Sequence, residues 1–244
     1  MQLVERTLNA LVLLSRYPHG ISVAEAAKNL DLPMSSAYRV LSSLREQHFA
    51  VQDPVTKRYS LSYKLFSLCD TVSRSDALIS TIHPEMEELS QKIQRNIILC
   101  VPDGNMTMNL DCVEFQNASM YRIRKGYESI WYSTSAGRVF AAFAEEEKRE
   151  KLFENLVIRP ETPASIRDVP SLRKELKKIR EQGYSLIDEE LQPNVQGVAA
   201  PVRDAGGEVI AAIAFTTQKS VSPVQQSEIE ELLNCTGKVS AELS

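Results

Sequence analysis

The hydrophobic positions of the first 47 residues recur with the spacing of α-helices and are interrupted by turn residues. Residues 3–16 place apolar side chains three or four positions apart, and the Tyr-Pro-His-Gly stretch that follows ends this first helix. Ser22 and Glu25 have the spacing of a capping box, which predicts a short second helix over residues 23–30. A tight Asp-Leu-Pro connection then leads into a third predicted helix over residues 33–47.

A short β-hairpin is predicted after the third helix. Residues 49–52 and 59–62 are strand-like, and the turn between them carries two adjacent cations, Lys57 and Arg58. Helix, short helix, helix and hairpin is the order of a winged helix-turn-helix. We therefore predict a DNA-binding domain over residues 1–62.

The rest of the chain favours a helical linker followed by an α+β domain. Residues 61–94 have a helical pattern, of which 63–82 are predicted to be the linker, and Pro84 is expected to kink or split the helix. Strands are predicted at 96–101, 107–115, 119–124, 184–188, 197–203 and 209–217. Helices are predicted at 135–143, 145–156 and 169–182, with a last one from about residue 222. An antiparallel sheet with helices packed on it is the simplest arrangement for the predicted domain at 83–244.

The third predicted helix has an apolar face and a polar face. One stripe of the helix carries Ala37, Val40, Leu41 and Leu44. The opposite side carries Ser35, Ser36, Tyr38, Arg39, Ser42 and Ser43. Small hydroxyl side chains let a helix approach a groove closely, and arginine is the usual bidentate reader of guanine. We predict that these six side chains contact DNA with support from Lys57 and Arg58. The helix alone is equally compatible with the solvated face of a small three-helix domain.

The charge of the chain is unevenly distributed. The chain has 244 residues, a length that favours two domains. It contains 28 basic and 32 acidic side chains and has a net charge of −4. Residues 1–62 hold seven basic and five acidic side chains, a net charge of +2, which leaves −6 for the remainder. DNA binding requires a local basic surface rather than a basic chain, so the N-terminal domain remains compatible with it.

The four cysteines form no C-x-x-C pair, so we expect reduced, buried thiols. The sequence has no apolar run long enough to cross a membrane and no secretory signal. We therefore expect a cytoplasmic protein. The three histidines, His19, His48 and His83, all lie in or before the helical stretch at 61–94 that carries the linker, so the second domain beyond it is expected to lack the commonest general base and metal ligand. The acidic run at 188–190 has consecutive side chains that would point in different directions. We therefore expect no catalytic site, no metal and no cofactor.

Three separated segments resemble the IclR family, the isocitrate lyase regulator-type bacterial regulators. Residues 20–44 are similar to its helix-turn-helix, through Leu32-Pro33, Ser35-Ser36, Tyr38-Arg39, Leu41 and Leu44, although the family commonly has threonine at the position of Ser36. Residues 132–138 resemble its A-x-G-K segment, with Arg138 in place of lysine. Residues 183–190 and 197–215 match its acidic cluster, its A-A-P-V-x-D motif and the apolar strand that follows.

The resemblance implies a GAF-like C-terminal domain that binds a small metabolite, often an organic acid. The turn before the helix at 135 exposes backbone N–H groups, which favour a carboxylate. By position, the pocket would use Ser135, Ala136, Asp188, Gly197, Ala214 and Thr216. Tyr121 and Trp131 are predicted to line it, with ordinary core aromatics as the alternative. Some members have an acid at Ile187, cysteine at Gly197 and serine at Ala214 and Thr216, so a different effector is expected here.

The resemblance also implies a homodimer or homotetramer that binds double-stranded operator DNA. We expect a ligand-responsive regulator, with repression of a catabolic operon as the specific hypothesis. Two alternatives belong to other classes of protein. One is an enzyme with a regulatory DNA-binding head, and the other is an interaction module whose winged helix docks a protein.

Overall fold

The computed structural model describes residues 2–75, 77–115 and 124–243, and within them the chain divides into two units after residue 76. In the first unit the helices and strands are α1 Gln2–Ser15, α2 Val23–Asn29, α3 Met34–Glu46, β1 Ala50–Gln52, β2 Tyr59–Leu61 and α4 Lys64–Ser75. The strands β1 and β2 pair antiparallel and form the predicted hairpin. The order confirms the winged helix-turn-helix.

Local sequence signals account for the helices of the first unit. The Ser22 hydroxyl accepts a hydrogen bond from the Glu25 N–H at 3.2 Å, and the Glu25 carboxylate accepts one from the Ser22 N–H at 2.9 Å, so the predicted capping box is present. Pro33 lies directly before α3, where its missing N–H removes no helical hydrogen bond. The predicted apolar stripe of α3 is buried in full at Ala37, Val40, Leu41 and Leu44, and α3 packs on α2, α1 and β1.

The second unit is an antiparallel sheet with helices on both faces. Its helices are α5 Ala77–Ile93, α6 Ser135–Phe143, α7 Glu146–Phe153, α8 Val169–Gln182 and α9 Gln226–Glu242. Its strands are β3 Ile97–Asp103, β4 Met106–Val113, β5 Glu128–Ile130, β6 Ser185–Asp188, β7 Val195–Arg203 and β8 Val209–Gln218. They follow the order β5-β4-β3-β8-β7-β6, and all described neighbours are antiparallel. The α+β fold class is confirmed.

Alternate residues of β3 belong to two different cores. Ile97 and Leu99 pack with α5 and α9, whereas Ile98 and Cys100 pack with α6 and α8. Successive side chains of a strand point to opposite faces, so a sheet covered on both sides needs apolar residues at every position. This explains why β3 begins as an unbroken apolar run.

The second unit differs from the prediction in α5, in β5 and in the extent of the linker. The helix α5 runs through Pro84 without a split, because buried side chains on either side of the proline, Ile82 and Met86, hold it against the sheet core. The short strand β5 was not predicted, since its three residues carry no alternating pattern. The predicted strand at 119–124 falls almost entirely outside the described residues. The predicted linker at 63–82 is divided between the units, with α4 in the first and α5 in the second.

The second unit also contains a histidine, contrary to expectation, because it begins at Ala77 and includes His83. His83 Nδ1 lies 2.6 Å from Asp111 Oδ2, and Lys125 Nζ lies 2.5 Å from the other oxygen of that carboxylate. Burial alone would raise the pKa of Asp111, but the hydrogen bonds from Lys125 and His83 outweigh it and lower the pKa. Asp111 pairs with Leu99, so the cluster lies on the face of the sheet covered by α5.

No helix in the described part of the chain is long and apolar enough to cross a membrane.

Candidate functional site

The polar face of α3 is available for contact along most of its length. Ser35, Tyr38, Arg39 and Ser43 are exposed, and Ser36 is half-buried. Within the described residues, the Arg39 guanidinium makes no hydrogen bond and no ion pair, whereas other cations of this unit, such as Arg45 and Lys64, donate to neighbouring groups. An exposed arginine without a partner retains all five N–H donors for an external acceptor.

Ser42 does not belong to this exposed face, contrary to the prediction. Only 8% of it is exposed, and its hydroxyl has no hydrogen-bond partner among the described groups. The wheel assigns Ser42 to the polar side of α3, but the structure encloses its hydroxyl among neighbouring groups. A helical wheel gives the direction of a side chain but not its reach.

The two cations of the hairpin have different environments. Lys57 is exposed at the turn, where its φ of +58° places it in the left-handed region. Asp53 holds the turn through hydrogen bonds from Thr56, which lower the pKa of its carboxyl group. Arg58, predicted to support DNA contact together with Lys57, donates to the Gly20 carbonyl at 3.1 Å and to Glu25 at 2.9 Å.

Glu25 therefore serves two elements at once. Its carboxylate accepts from Ser22 at the start of α2 and from Arg58 in the hairpin. The backbone and side-chain hydrogen bonds from Ser22, with a further contribution from Arg58, lower the pKa of Glu25. Arg58 thus ties the hairpin to the helix-turn-helix and is only partly available to a ligand.

A cavity of about 570 Å³ lies in the second unit on the face of the sheet covered by α6. Four of the predicted pocket residues line it, namely Ser135, Ala136, Ala214 and Thr216. The floor is formed by strands from both halves of the sheet. The volume is within the range of small-molecule sites.

The first turn of α6 faces this cavity. Thr134 caps the helix by accepting from the Gly137 N–H at 3.2 Å, and the Arg138 N–H donates to the Thr134 carbonyl. The N–H groups of Ser135 and Ala136 have no partner within the described chain, as expected for the first positions of a helix. Unpaired N–H groups at a helix N-terminus attract anions, especially when they open into a cavity.

The other predicted pocket residues do not line the cavity. Trp131 is 4% exposed and packs edge to face on Phe153, with 5.5 Å between the ring centroids, so it is a core aromatic. Gly197 lies beneath the cavity wall, where a Cβ would lie 3.4 Å from the Ser135 hydroxyl. Asp188 binds Lys219 at 2.9 Å outside the lining, and Tyr121 lies outside the described residues.

The acidic run at 188–190 separates only in part, because Glu190 turns away from the other two carboxylates. Glu189 accepts from the Asn194 N–H, and Glu190 forms a bidentate ion pair with buried Arg138 at 3.0 and 2.6 Å. Asp188 and Glu189 both lie near Lys219, whose Nζ is 2.9 Å from Asp188 Oδ1 and 3.8 Å from Glu189 Oε2, whereas Glu190 turns to Arg138. Among the described residues, no group of three or more histidine, cysteine, aspartate or glutamate side chains is placed to hold a metal ion.

Sequence reasoning missed the part of the cavity formed by β4, β5 and the segment before β5. Thr107 and Asn109 come from β4, Ser129 from β5, and Arg124 from the chain between them. The neighbouring Cys100 is fully buried, which raises the pKa of its thiol to about 12. It remains a neutral thiol and donates to Asn109 Oδ1 at 3.6 Å. The alternating polar residues of β4 were the only available signal.

Two protein-family models match the chain. The model of the IclR helix-turn-helix domain matches residues 3–54, and the model of the bacterial transcriptional regulator IclR C-terminal domain matches residues 69–242.

Individual relatives match over most of the chain. The transcriptional regulator KdgR of Escherichia coli is 27% identical over 229 residues, which cover 91% of this chain and 86% of that protein. The transcriptional repressor AllR of Salmonella typhi is 26% identical over 215 residues, which cover 88% and 79%. The crystal structure of an IclR transcriptional regulator from Alicyclobacillus acidocaldarius has a TM-score of 0.87 and 23% identity, over 100% of this chain and 99% of that one.

Proposed function

The chain belongs to the IclR family of bacterial transcriptional regulators, as its sequence resemblance predicted. We propose that it is a repressor whose helix α3 reads operator DNA. In this proposal an organic acid that binds beside α6 controls the binding to DNA. Family membership carries the general part of this statement, a helix-turn-helix regulator with an effector domain. The residues, the acid and the direction of regulation are our proposal. The AllR relative is a repressor, which supports that direction.

Arg39 is the residue on which the DNA-binding proposal depends most. It is exposed at the middle of the polar face of α3, its guanidinium is unpaired among the described residues, and the neighbouring Ser35 and Ser43 are small enough to allow close approach. A bidentate arginine–guanine contact contributes about 1–3 kcal/mol to discrimination between bases. Lys57 would add a phosphate contact from the hairpin.

Replacing Arg39 should therefore remove specificity without affecting folding. Duplexes enriched from a random pool by the intact protein serve as the probe. Arg39→Ala should weaken binding to them by about 5–150-fold at fixed salt and leave the thermal melting temperature unchanged. The measurement is a fluorescence anisotropy titration.

Two control variants separate base reading from charge. Arg39→Lys keeps the charge and should still lose specific binding, because lysine lacks the planar fork. Lys174→Ala removes a charge from the exposed side of α8 and should change nothing. Unchanged affinity of Arg39→Ala for the enriched duplexes would show that α3 is not the reading helix.

The same titration tests the proposed oligomer. The helix α1 exposes Leu3, Val4, Leu8 and Val12 to 54% or more, and α4 exposes Phe66 to 72%. Clustered exposed apolar side chains are typical of association surfaces. We infer a dimer that covers them and places two reading helices on two half-sites, so the complex should contain at least two chains per duplex. One chain per duplex would contradict this.

The effector proposal is supported by the charge of the cavity. Arg124 is the one charged side chain among the described lining residues, and the unpaired N–H groups at the start of α6 add a second positive region. Ile98, Ile187 and Ala214 provide apolar surface between the polar groups. A carboxylate with an apolar body fits this combination.

Filling the cavity should abolish the response to acids. Calorimetric titration with mono- and dicarboxylates of four to ten carbons should detect binding to the intact protein. Ser135→Trp, which projects an indole into the cavity, should weaken every such interaction at least tenfold. Lys174→Trp, on the exposed side of α8, is the matched control, and far-UV circular dichroism shows whether each variant folds. Equal binding by Ser135→Trp would show that the acid binds elsewhere.

A further inference from the structure

The end of the cavity formed by β4 and β5 contains a buried polar group with no partner. Thr107 and Ser129 face each other across these strands and both line the cavity. Thr107 is 1% exposed, and its hydroxyl makes no hydrogen bond with any described group. An unpaired buried hydroxyl destabilises a protein, and a bound ligand is one means of satisfying it.

A cation lies at the same end. The backbone carbonyl of Arg124 accepts a hydrogen bond from Asn109 Nδ2 at 3.4 Å, which places Arg124 beside β4. Arg124 lines the cavity, and no described residue forms a hydrogen bond or an ion pair with its guanidinium. Exposed cations elsewhere in this unit, such as Lys125 and Arg173, have carboxylate partners. Since no carboxylate of the described residues pairs with it, the positive charge of Arg124 is available to a ligand.

The start of α6 lies at a different end of the same cavity. A Cβ on Gly197 of β7 would lie 3.4 Å from the Ser135 hydroxyl, so the first turn of α6 is over β7. The strands β3 and β8 separate β4 from β7, a distance of about 14 Å across the sheet at about 4.8 Å per strand. The floor between them is apolar at Ile98 and Ala214.

We propose that the effector is an elongated dicarboxylic acid, with one carboxylate at the first turn of α6 and the other at Arg124 and Thr107. The proposal rests on the proposed function, because it takes a carboxylate site at α6 as its starting point. Arg124 supplies the positive charge that pairs with the second carboxylate, and the Thr107 hydroxyl donates a hydrogen bond to the same carboxylate. The methylene chain lies across Ile98 and Ala214. A monocarboxylate would leave the Arg124 end unsatisfied.

A chain-length series tests the second site. The probes are the linear dicarboxylates from succinate to sebacate and the linear monocarboxylates with the same numbers of carbons, titrated calorimetrically into the intact chain. At the best length the dicarboxylate should bind at least tenfold more tightly than its monocarboxylate counterpart. Arg124→Gln should abolish that advantage by bringing the affinity for the dicarboxylate down to that for its monocarboxylate counterpart. Arg167→Gln removes an exposed charge from the same unit outside the cavity lining and should preserve the advantage.

The results distinguish failure of this inference from failure of the proposed function. Equal affinity for mono- and dicarboxylates would overturn the second site and leave the acid site at α6 intact. An ω-hydroxy acid that binds as tightly as the dicarboxylate would also overturn it, since the charge of Arg124 would then have no role. Absence of binding by every carboxylate would overturn both.

Thr107→Val provides a readout that does not depend on activity. The variant removes the unpaired hydroxyl at almost constant volume, so the protein without acid should melt at a higher temperature than the wild type. It should also lose several-fold in affinity for the best dicarboxylate and none for the monocarboxylate. A lower melting temperature, or an unchanged dicarboxylate affinity, would show that the hydroxyl does not serve a ligand.

Discussion

Arg95→Met should lower the free energy of unfolding of the second unit by about 3–5 kcal/mol, the largest effect that we expect from a single substitution. Arg95 connects α5 to β3, and its side chain is 9% exposed. Its guanidinium donates to Glu228 at 2.8 Å, to Thr217 at 3.0 Å and to Ser222 at 2.7 Å, so it joins this connection to β8 and α9. Removing it leaves the Glu228 carboxylate buried without its counter-ion.

The single tryptophan makes this measurement specific to the second unit. Trp131 is 4% exposed, so its fluorescence in a urea titration reports unfolding of the core around it. Lys177→Met is the matched control, because Lys177 and its partner Glu181 are 76% and 67% exposed and such a pair contributes less than about 1 kcal/mol. The double variant Arg95→Met with Glu228→Met should lose less than Arg95→Met alone, since no charge then stays buried unpaired. A loss below about 1 kcal/mol for Arg95→Met would contradict the proposed role of the ion pair.

Gly137→Ala should destabilise the same unit by about 3 kcal/mol, although alanine is the best helix former. A Cβ at position 137 would lie 2.2 Å from the Trp131 carbonyl oxygen and 2.5 Å from the Trp131 Cα. Both atoms belong to the backbone of the 3₁₀ turn at Trp131–Ser133, so they cannot rotate away as a side chain would. Either α6 or the turn must move.

Gly237→Ala is the matched control, because Gly237 is also a glycine inside a helix. Gly237 lies in α9 with no atom within 4 Å of its added Cβ. The same substitution there should stabilise the protein by about 0.4–1 kcal/mol through the reduced freedom of the unfolded chain. If the free energy of unfolding falls for Gly137→Ala and rises for Gly237→Ala, the close approach to Trp131 outweighs helix propensity at position 137. If it rises for both variants, α6 can shift without cost.

The features that were predictable from the sequence are those that depend on local pattern. The capping box at Ser22, the buried stripe of α3 and the full extents of α6 and α8 all follow from helical periodicity and capping residues. In each case the residues that determine the structure lie within a few positions of one another.

The cavity was only half predictable because its β4 and β5 side depends on strand register. The register between β3 and β4 shifts after Leu99, which brings Asn109 opposite Cys100 and places Thr107 on the cavity face. No local pattern contains that shift. The pairing of Arg58 with Glu25 and the packing of Trp131 on Phe153 were not predictable for a related reason, since these partners lie 33 and 22 positions away along the chain.

The double role of Glu25 has a consequence for the behaviour of the first unit in acid. Its pKa is below the ordinary value of 4.5, so the stability that it contributes is present above that pH and is lost as the pH falls through the lower, folded value. A single proton on Glu25 would weaken both the hydrogen bond that its carboxylate accepts from the Ser22 N–H and the ion pair with Arg58, while the Ser22 hydroxyl still caps α2. The start of α2 and the contact between the hairpin and α2 are thus expected to weaken together in one titration event, while the backbone hydrogen bonds between Ile21 and Tyr59 continue to hold the hairpin in place.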